Sequence, residues 1–406
     1  MCVHSTRKSQ SVMKQVLISP SSYSLSNERY GKAYNILNNL SSEDFKIEAC
    51  VASTEGASLP ENVHTTSLGG SRKPTYYFNA FRYANQKLRA GEVDLYHHMN
   101  LNFRWFNPLL SLKQPPDVPI LIGPAQAAHE IPMDEIRMKT QGVLPEWFPR
   151  QFATVAEKAA LAAKRLSIPP RELFFKRTLD AADRVIVVNE ETRDIYAKYV
   201  DREKIEVIPI GVDTEYFSYS EDRDRYNLVT VGRLTERKGY FDLLESMAGI
   251  VRDFPEVTLD IFGGGPLRKD LEEKVHDLGL EDVITFHGKV DQDVVRGYLQ
   301  SAGLFVHPSH SESFSPVRLE AMSTGCPIVA TDVIGADEMI RDGVDGFVVP
   351  TESPAELRDA MIQILGNKLL ATEMGKSARS RVESSYSWET VGESYLEVYS
   401  TLLFER

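Results

Sequence analysis

Cysteine is scarce in this chain of 406 residues: Cys2, Cys50 and Cys326 are all there is, and they lie far apart. They make no CxxC pair and no cluster with histidine at zinc spacing. A disulfide framework and a cysteine-based metal site are therefore not expected, and free thiols in a reducing compartment are. Long apolar runs are also missing, since no window approaches the roughly 18 apolar residues of a membrane span. Residues 1–14 are polar, carry Arg7 and Lys8, and lack the apolar core of a signal peptide. A cytoplasmic protein is expected, with at most peripheral contact on the inner face of a membrane. Excess positive charge is absent too: the net charge of −12 argues against a dedicated nucleic-acid binder. No HExxH, no Ser/His/Asp arrangement and no short repeat stands out. No Asp-x-Asp motif sits at a predicted strand end, so no bound metal is expected.

What is present is ordinary globular material, 42% hydrophobic and 26% charged. The length suits two α/β domains better than one core. Strand-length apolar runs alternate with helical patterns, the signature of parallel sheets covered on both faces. The runs fall at residues 15–19, 47–52, 94–96, 120–122, 184–188 and 206–208, with helices between them such as 75–89. Residues 131–182 carry no strand signal and read as two or three helices broken by Pro145, Pro149, Pro169 and Pro170. The alternation stops over 209–225, a turn-rich and polar stretch that reads as a linker. A second series follows at 229–231, 258–262, 284–286, 304–306, 328–330 and 347–349. Residues 388–404 form one amphipathic helix with Val391, Tyr395, Val398, Tyr399 and Leu402 on its apolar stripe. The expected architecture is two Rossmann-like, doubly wound domains, residues 1–210 and 211–387, facing each other across a cleft, followed by a helix at 388–406. Open sheets of this kind bind ligands beyond the carboxyl ends of their strands.

Three loops at such ends carry candidate chemistry. Glu312, Phe314, Ser315, Pro316, Val317, Arg318 and Glu320 follow the 304–306 run. Ser315 can cap a helix and Pro316 suits its first turn. The unpaired N–H groups of that helix start, at Ser315, Val317 and Arg318, suit a phosphate. Glu312 and Glu320 would accept hydrogen bonds from sugar hydroxyls rather than help with phosphate. Spacing alone fits a capped surface helix with two solvated glutamates equally well. The second loop holds Gly232, Arg233, Arg237, Lys238 and Gly239. Arg233 offers a bidentate grip on phosphate oxygens and Lys238 a mobile charge. Arg237 reads as a solvated loop charge. The third loop, Gly263, Gly264, Gly265, Pro266, lets backbone approach a ligand closely, though many strand-to-helix turns look alike. The matching loop of the first domain, residues 20–31, has no GxGxxG, which makes that domain the better candidate for an acceptor. His97 and His98 close one predicted strand and His129-Glu130 follows another. For each, a buried structural role is the commoner outcome. His276, His287, His307 and His310 have no companion pattern.

Together with residues 207–214, Val-Ile-Pro-Ile-Gly-Val-Asp-Thr, these motifs resemble glycosyltransferase family 4, retaining nucleotide-sugar enzymes of the GT-B fold. The likeness runs from about Arg184 to the end, and the order and spacing of four motifs carry it. The resemblance implies that Arg233 and Lys238 bind the donor diphosphate, that Glu320 holds the ribose hydroxyls, and that Glu312 contacts the donor sugar. Gly232, Gly264, Gly265, Ser315 and Val317 would line the nucleotide. It also implies that the last helix crosses back onto the first domain. Asn27 to Gly31 and Gly123-Pro124-Ala125-Gln126 look like a branch of the family, in which His97 is similar in position to the histidine ending the fourth strand. A retaining hexosyltransferase is expected, using a UDP-sugar or GDP-sugar and no separate cofactor. A nucleotide-sugar epimerase and a non-catalytic nucleotide-sugar binder are the competing readings on the same fold. The acceptor is expected to be a saccharide or a lipid-linked saccharide. Residues 134–177 hold nine basic and five acidic residues with Trp147, Phe148 and Phe152 among them. That composition suits an anionic membrane surface, and an ordinary helical insertion suits it as well.

Overall fold

The computed structural model describes residues 13–20, 24–26, 32–55, 58–69, 73–99, 117–126 and 176–404. The helices expected over 131–175, the loop residues Asn27 to Gly31 and the His129-Glu130 pair lie outside the described residues. So does the basic, aromatic stretch 134–177 apart from Lys176 and Arg177, which are exposed.

The first sheet contains β1 (Lys14–Pro20), β3 (Phe45–Val51), β5 (Val63–Ser67), β6 (Leu95–Met99), β7 (Ile120–Ala125), β8 (Arg184–Val187) and β9 (Ile205–Val207). Its order is β5-β3-β1-β6-β7-β8-β9, and every pairing is parallel. A small ribbon pairs β2 (Ser24–Ser26) with β4 (Ser53–Glu55). The second sheet contains β10 (Asp224–Val231), β11 (Thr258–Phe262), β12 (Ile284–Gly288), β13 (Ala302–His307), β14 (Ile328–Thr331) and β15 (Phe347–Val349). It is wound β12-β11-β10-β13-β14-β15, again all parallel. The central strands β6, β7 and β13 are buried along their whole length, and β7 and β13 accordingly read as apolar runs, whereas β6 carries His97 and His98 into the interior. Strand β5 escaped the sequence reading because it is a polar edge strand, Val-His-Thr-Thr-Ser, with only Val63 buried.

Helices Tyr240–Asp253 and Pro354–Gly366 cover one face of the second sheet through Leu243, Met247, Ile250, Leu357 and Met361. A second apolar cluster is continuous from Phe305, Leu319 and Met322, through Ile210, Val212 and Phe217, to Val16, Leu37 and Phe45 of the first sheet. The chain that joins the halves therefore serves as core for both.

The last helix, Trp388–Phe404, returns to the first half and packs on the helix Lys32–Asn38 and on β6. Its Gly392 has no room for a Cβ, which would overlap the carbonyl of Asn39. Tyr399 meets Phe45 edge to face, with centroids 5.9 Å apart, and its hydroxyl lies 2.7 Å from His97 Nδ1. His97 Nε2 donates to the Gly123 carbonyl at 2.9 Å, so Nδ1 is the acceptor for Tyr399. His97, expected near a reacting centre, is thus a fully buried tie between β6, β7 and the last helix. Both ring nitrogens are in use and neither reaches the cleft.

The two halves also exchange helix caps. Glu338 accepts the backbone N–H groups of Glu190 (2.9 Å) and Glu191 (3.3 Å) at the start of the helix Glu190–Tyr196. In return Glu191 accepts the N–H of Gly335, at 2.5 Å, at the start of the helix Ala336–Met339. Asn189 caps its own helix through Thr192 N at 2.9 Å and donates from Nδ2 to the Ser313 carbonyl at 3.0 Å. Each carboxylate sits on a positive helix end of the opposite half.

Burial pushes His97 down to about 4, so the folded protein holds it neutral. Between pH 6.5 and 4 the unfolded chain gains a proton that the folded chain refuses, and stability falls as pH drops through that window. The slope of urea-unfolding free energy against pH is expected to be shallower in His97→Gln, and equal slopes would refute the assignment. Tyr399→Phe, which leaves buried Nδ1 without a donor, is expected to lose about 1–3 kcal/mol at pH 7.5 by the same measurement.

Candidate functional site

Strands β10 and β13 are neighbours at the centre of the second sheet, where the winding direction reverses. The loops leaving their carboxyl ends diverge there and open a crevice. The β10 loop passes Gly232 and Arg233, makes a 3-10 turn over Glu236–Lys238, and ends at Gly239. Gly239 is left-handed, with φ 63°, and a Cβ on it would overlap the Pro308 carbonyl of the β13 loop. The two loops are further joined by His310 N donating to Arg237 O at 2.8 Å, and by His310 Nε2 against Asp242 Oδ2 at 2.7 Å. The glycine loop after β11 closes the side. Gly263, φ 127°, lies against the Gly232 carbonyl and Gly265 against Leu234, while Leu234 N donates to Gly264 O at 3.1 Å. Gly264 is different, because a Cβ there would meet open space.

Glu312 occupies the junction of these loops and is 6% exposed. It pairs with Lys238 Nζ through Oε1 and with Arg237 Nη1 through Oε2 at 3.1 Å, and accepts a hydrogen bond from Ser309 Oγ at 3.3 Å. Arg237, expected to be a solvated charge, is in fact part-buried and also donates to the Ser311 carbonyl at 2.6 Å. Burial raises the Glu312 pKa, but Lys238, Arg237 and Arg318 together outweigh it and leave the pKa lowered, so the carboxyl stays ionised. Desolvation lowers Lys238, and Arg237 and Arg318 add to that against the pull of Glu312. The two directions agree physically. Lys238 and Arg237 pair with the Glu312 carboxylate, and buried Arg318 acts on it through charge alone, with Asp332 as its other acidic neighbour. The Lys238 stem folds back across Gly232, its Cε 3.6 Å from where a Cβ of that glycine would stand. Arg233 is exposed at the end of β10.

The β13 loop runs into the helix Pro316–Ser323, with Ser315 as N-cap and Pro316 in the first turn. The Arg318 N–H, one of three expected to be open to a ligand, bonds to the Ser315 carbonyl at 3.1 Å. Val317 stands in the first turn, where backbone N–H groups have no partner within the helix. Glu320 lies one turn on, half-buried, and accepts from Gln292 Nε2 at 3.1 Å. Burial pushes Glu320 up to about 7, with the Gln292 hydrogen bond opposing. The structure therefore sets Gly232, Arg233, Lys238, Gly264, Gly265, Glu312, Ser315, Val317 and Glu320 on adjoining loops, and leaves His97 apart. Arg237, His307, Arg318 and Asn189 take part in the site's framework without having been foreseen. The sole signal for the Arg318 side chain was its place in the first loop motif, between Glu312 and Glu320. No group of three metal-ligating side chains occurs among the described residues.

Two doubly wound parallel sheets, facing across a cleft and joined again by a returning C-terminal helix, define the GT-B class of protein. Within it, the chain belongs to glycosyltransferase family 4. Residues 33–216 match Glycosyltransferase Family 4 and residues 212–381 match Glycosyl transferases group 1. A GDP-mannose-dependent alpha-(1-6)-phosphatidylinositol monomannoside mannosyltransferase of Mycobacterium tuberculosis is 30% identical over 243 residues, 55% of this chain and 63% of that protein. A D-inositol 3-phosphate glycosyltransferase of Paenarthrobacter aurescens is 32% identical over 257 residues, 58% of this chain and 62% of that one. The matched part of the chain thus spans somewhat less than two thirds of these relatives. In fold, it resembles sucrose-phosphate synthase from Thermosynechococcus elongatus, with TM-score 0.65 and 20% identity over 97% of this chain and 100% of that one. It also resembles Anabaena HepE in complex with UDP, with TM-score 0.64 and 17% identity over 96% and 100%. No described helix is long and apolar enough to cross a membrane.

The contacts of the glycines separate two substitutions. Gly239→Ala must force the β10 and β13 loops apart from a left-handed backbone position, and is expected to destabilise by roughly 1–3 kcal/mol. Gly264→Ala meets open space and should stay within about 0.5 kcal/mol of the parent. Denaturant titration of both variants checks this, and a reversed order would show that the loops do not depend on that close approach.

Proposed function

We propose that the chain transfers a hexosyl group from a nucleoside diphosphate sugar to a hydroxyl acceptor with retention of configuration. One observation carries this reading: Lys238 and Arg237 pair with the buried carboxylate of Glu312, with Arg318 close by, beside a helix N-terminus at the switch point of a doubly wound sheet. Such a crevice favours an anion with adjoining hydroxyls. In this reading Arg233 and Lys238 hold the diphosphate and stabilise the charge that develops on it as it leaves. Val317 N–H and the backbone at Gly232, Gly264 and Gly265 line the nucleotide. Glu320 accepts from the ribose hydroxyls and Glu312, released from Lys238, from the sugar. The first half, residues 1–210, takes the acceptor. The donor is a UDP-sugar or a GDP-sugar, in keeping with the UDP bound to HepE and the GDP-mannose of the mycobacterial relative. The acceptor is a saccharide or lipid-linked saccharide, and the basic, aromatic stretch 134–177 would meet an anionic membrane at its inner face.

A thermal-shift screen of nucleotide sugars, followed by product assay with the best binder, tests the proposal, because a specific ligand raises apparent stability by mass action. Arg233→Ala, at an exposed loop position, is expected to lower turnover by the equivalent of roughly 2–4 kcal/mol with stability kept, and Lys238→Ala to lower it as much while also costing stability, because Glu312 loses a buried partner. Near-normal turnover in both would remove these roles. NMR assignment of the product's anomeric linkage should show the configuration of the donor, and an inverted product sinks the claim of retention. Turnover is expected to persist in excess chelator, since two cations and a helix end can neutralise the leaving charge. Loss in chelator with recovery on adding magnesium is the contrary result.

A further inference from the structure

Ser315 stands at the N-cap of the helix Pro316–Ser323, a position where serine ordinarily turns its hydroxyl onto the first-turn N–H groups. Here it makes no such bond. Its Oγ lies instead 3.0 Å from His307 Nε2, and His307 is its recorded side-chain partner among the described residues. The other ring nitrogen, His307 Nδ1, receives Arg318 Nε at 3.1 Å. Arg318 is itself held by its Nη2 bond to the Thr331 carbonyl, at 3.1 Å. All three members of the chain are buried: Arg318 is 1% exposed, His307 2% and Ser315 4%.

The directions of these bonds follow from the donors. A guanidinium can only donate, so His307 Nδ1 must be the acceptor and carry no proton. A neutral imidazole then has its proton on Nε2, which donates to Ser315 Oγ, its nearest acceptor, with Ser309 Oγ at 3.4 Å and Glu312 Oε1 at 3.7 Å farther off. Burial, together with Arg318, Lys238 and Arg237, holds His307 well below its ordinary pKa, in agreement with a neutral ring. Once Ser315 Oγ has accepted this bond, its own proton is left to point away from His307. Two consequences coincide at the helix start. The first-turn backbone N–H groups are not consumed by a side-chain cap, and the hydroxyl is held as a donor of fixed direction. Lone placement as an N-cap would produce neither.

We propose that Arg318 and His307 are positioning residues that fix the Ser315 hydroxyl as a hydrogen-bond donor to the phosphate of a nucleoside diphosphate. This rests on the nucleotide-sugar reading of the same crevice and adds to it a side-chain donor and the relay that orients it. Arg318 and His307 do not touch the ligand. They set which of the atoms of Ser315 faces it.

Two measurements test the relay. In 15N-histidine-labelled protein, with His307 assigned by loss of its signals in His307→Gln, the ring is expected to be neutral and Nε2-protonated from pH 5.5 to 8. An Nδ1-protonated ring, or titration inside that range, overturns the proposal without any ligand. Calorimetric titration with uridine diphosphate and with guanosine diphosphate then compares wild type, Ser315→Ala, His307→Gln and the double variant. Ser315→Ala is expected to weaken the bound diphosphate about tenfold, the size of one hydrogen bond to a charged group. His307→Gln should weaken it by less, and the double variant no more than Ser315→Ala alone. Equal affinity in Ser315→Ala, or additive losses in the double variant, refutes the relay while the nucleotide reading survives. A wild type that binds neither diphosphate overturns that reading and the role of Ser315 together. Should His307→Gln fail to fold, the wild-type spectrum and Ser315→Ala still decide.

Discussion

The second half is organised around one buried carboxylate. Glu312 joins the β10 loop to the β13 loop by ion pairs with Lys238 and Arg237, and its own loop leads directly into the helix Pro316–Ser323. A carboxylate this far from water is tolerated only when paired, and losing a partner from such a site is strongly unfavourable. The arrangement is nevertheless unbalanced. Arg318 is a third cation nearby, and burial, aided by the neighbouring cations, lowers Lys238 and His307 together. An arriving anion would offset those cations.

Much of the architecture was legible because fully buried parallel strands leave little choice of residue. The 304–306 and 328–330 runs fall within β13 and β14, every residue of which is buried, and the apolar stripe of the last helix placed Val391, Tyr395, Tyr399 and Leu402 in the core. Polar edges were harder. β10 begins at Asp224, inside a stretch that reads as linker, because its first turn of strand is exposed and the register slips between Asp224 and Leu228. The ribbon of β2 and β4 has three residues a side and no apolar pattern to announce it.

At the site, the loops were legible and the second layer of contacts was not. Glycine, arginine and glutamate at strand ends have a meaning that spacing reveals, because loop position and strand end are both local. The partners of Arg237, His307 and Arg318 are set by which loops the sheet brings side by side, and a charge run looks the same whether solvated or paired. His97 illustrates the converse. Its place at a strand end invited a functional role, and Tyr399, 302 residues away in sequence, gave it a structural one. Asn189, Glu191 and Glu338 were equally silent, being polar residues at helix starts whose partners belong to the other half.

The returning helix has a consequence for the order in which the molecule is made. Ribosomes deliver the chain from its N-terminus, and domains commonly fold as they emerge. Here the first sheet emerges early, yet the ring that closes over Phe45 and satisfies His97 belongs to Tyr399. The second half can complete its own sheet as soon as β15 is released. The earlier half must wait, with an apolar face and a buried imidazole unmet, until the helix Trp388–Phe404 clears the exit tunnel. The part synthesised first is completed only after the second half has been made.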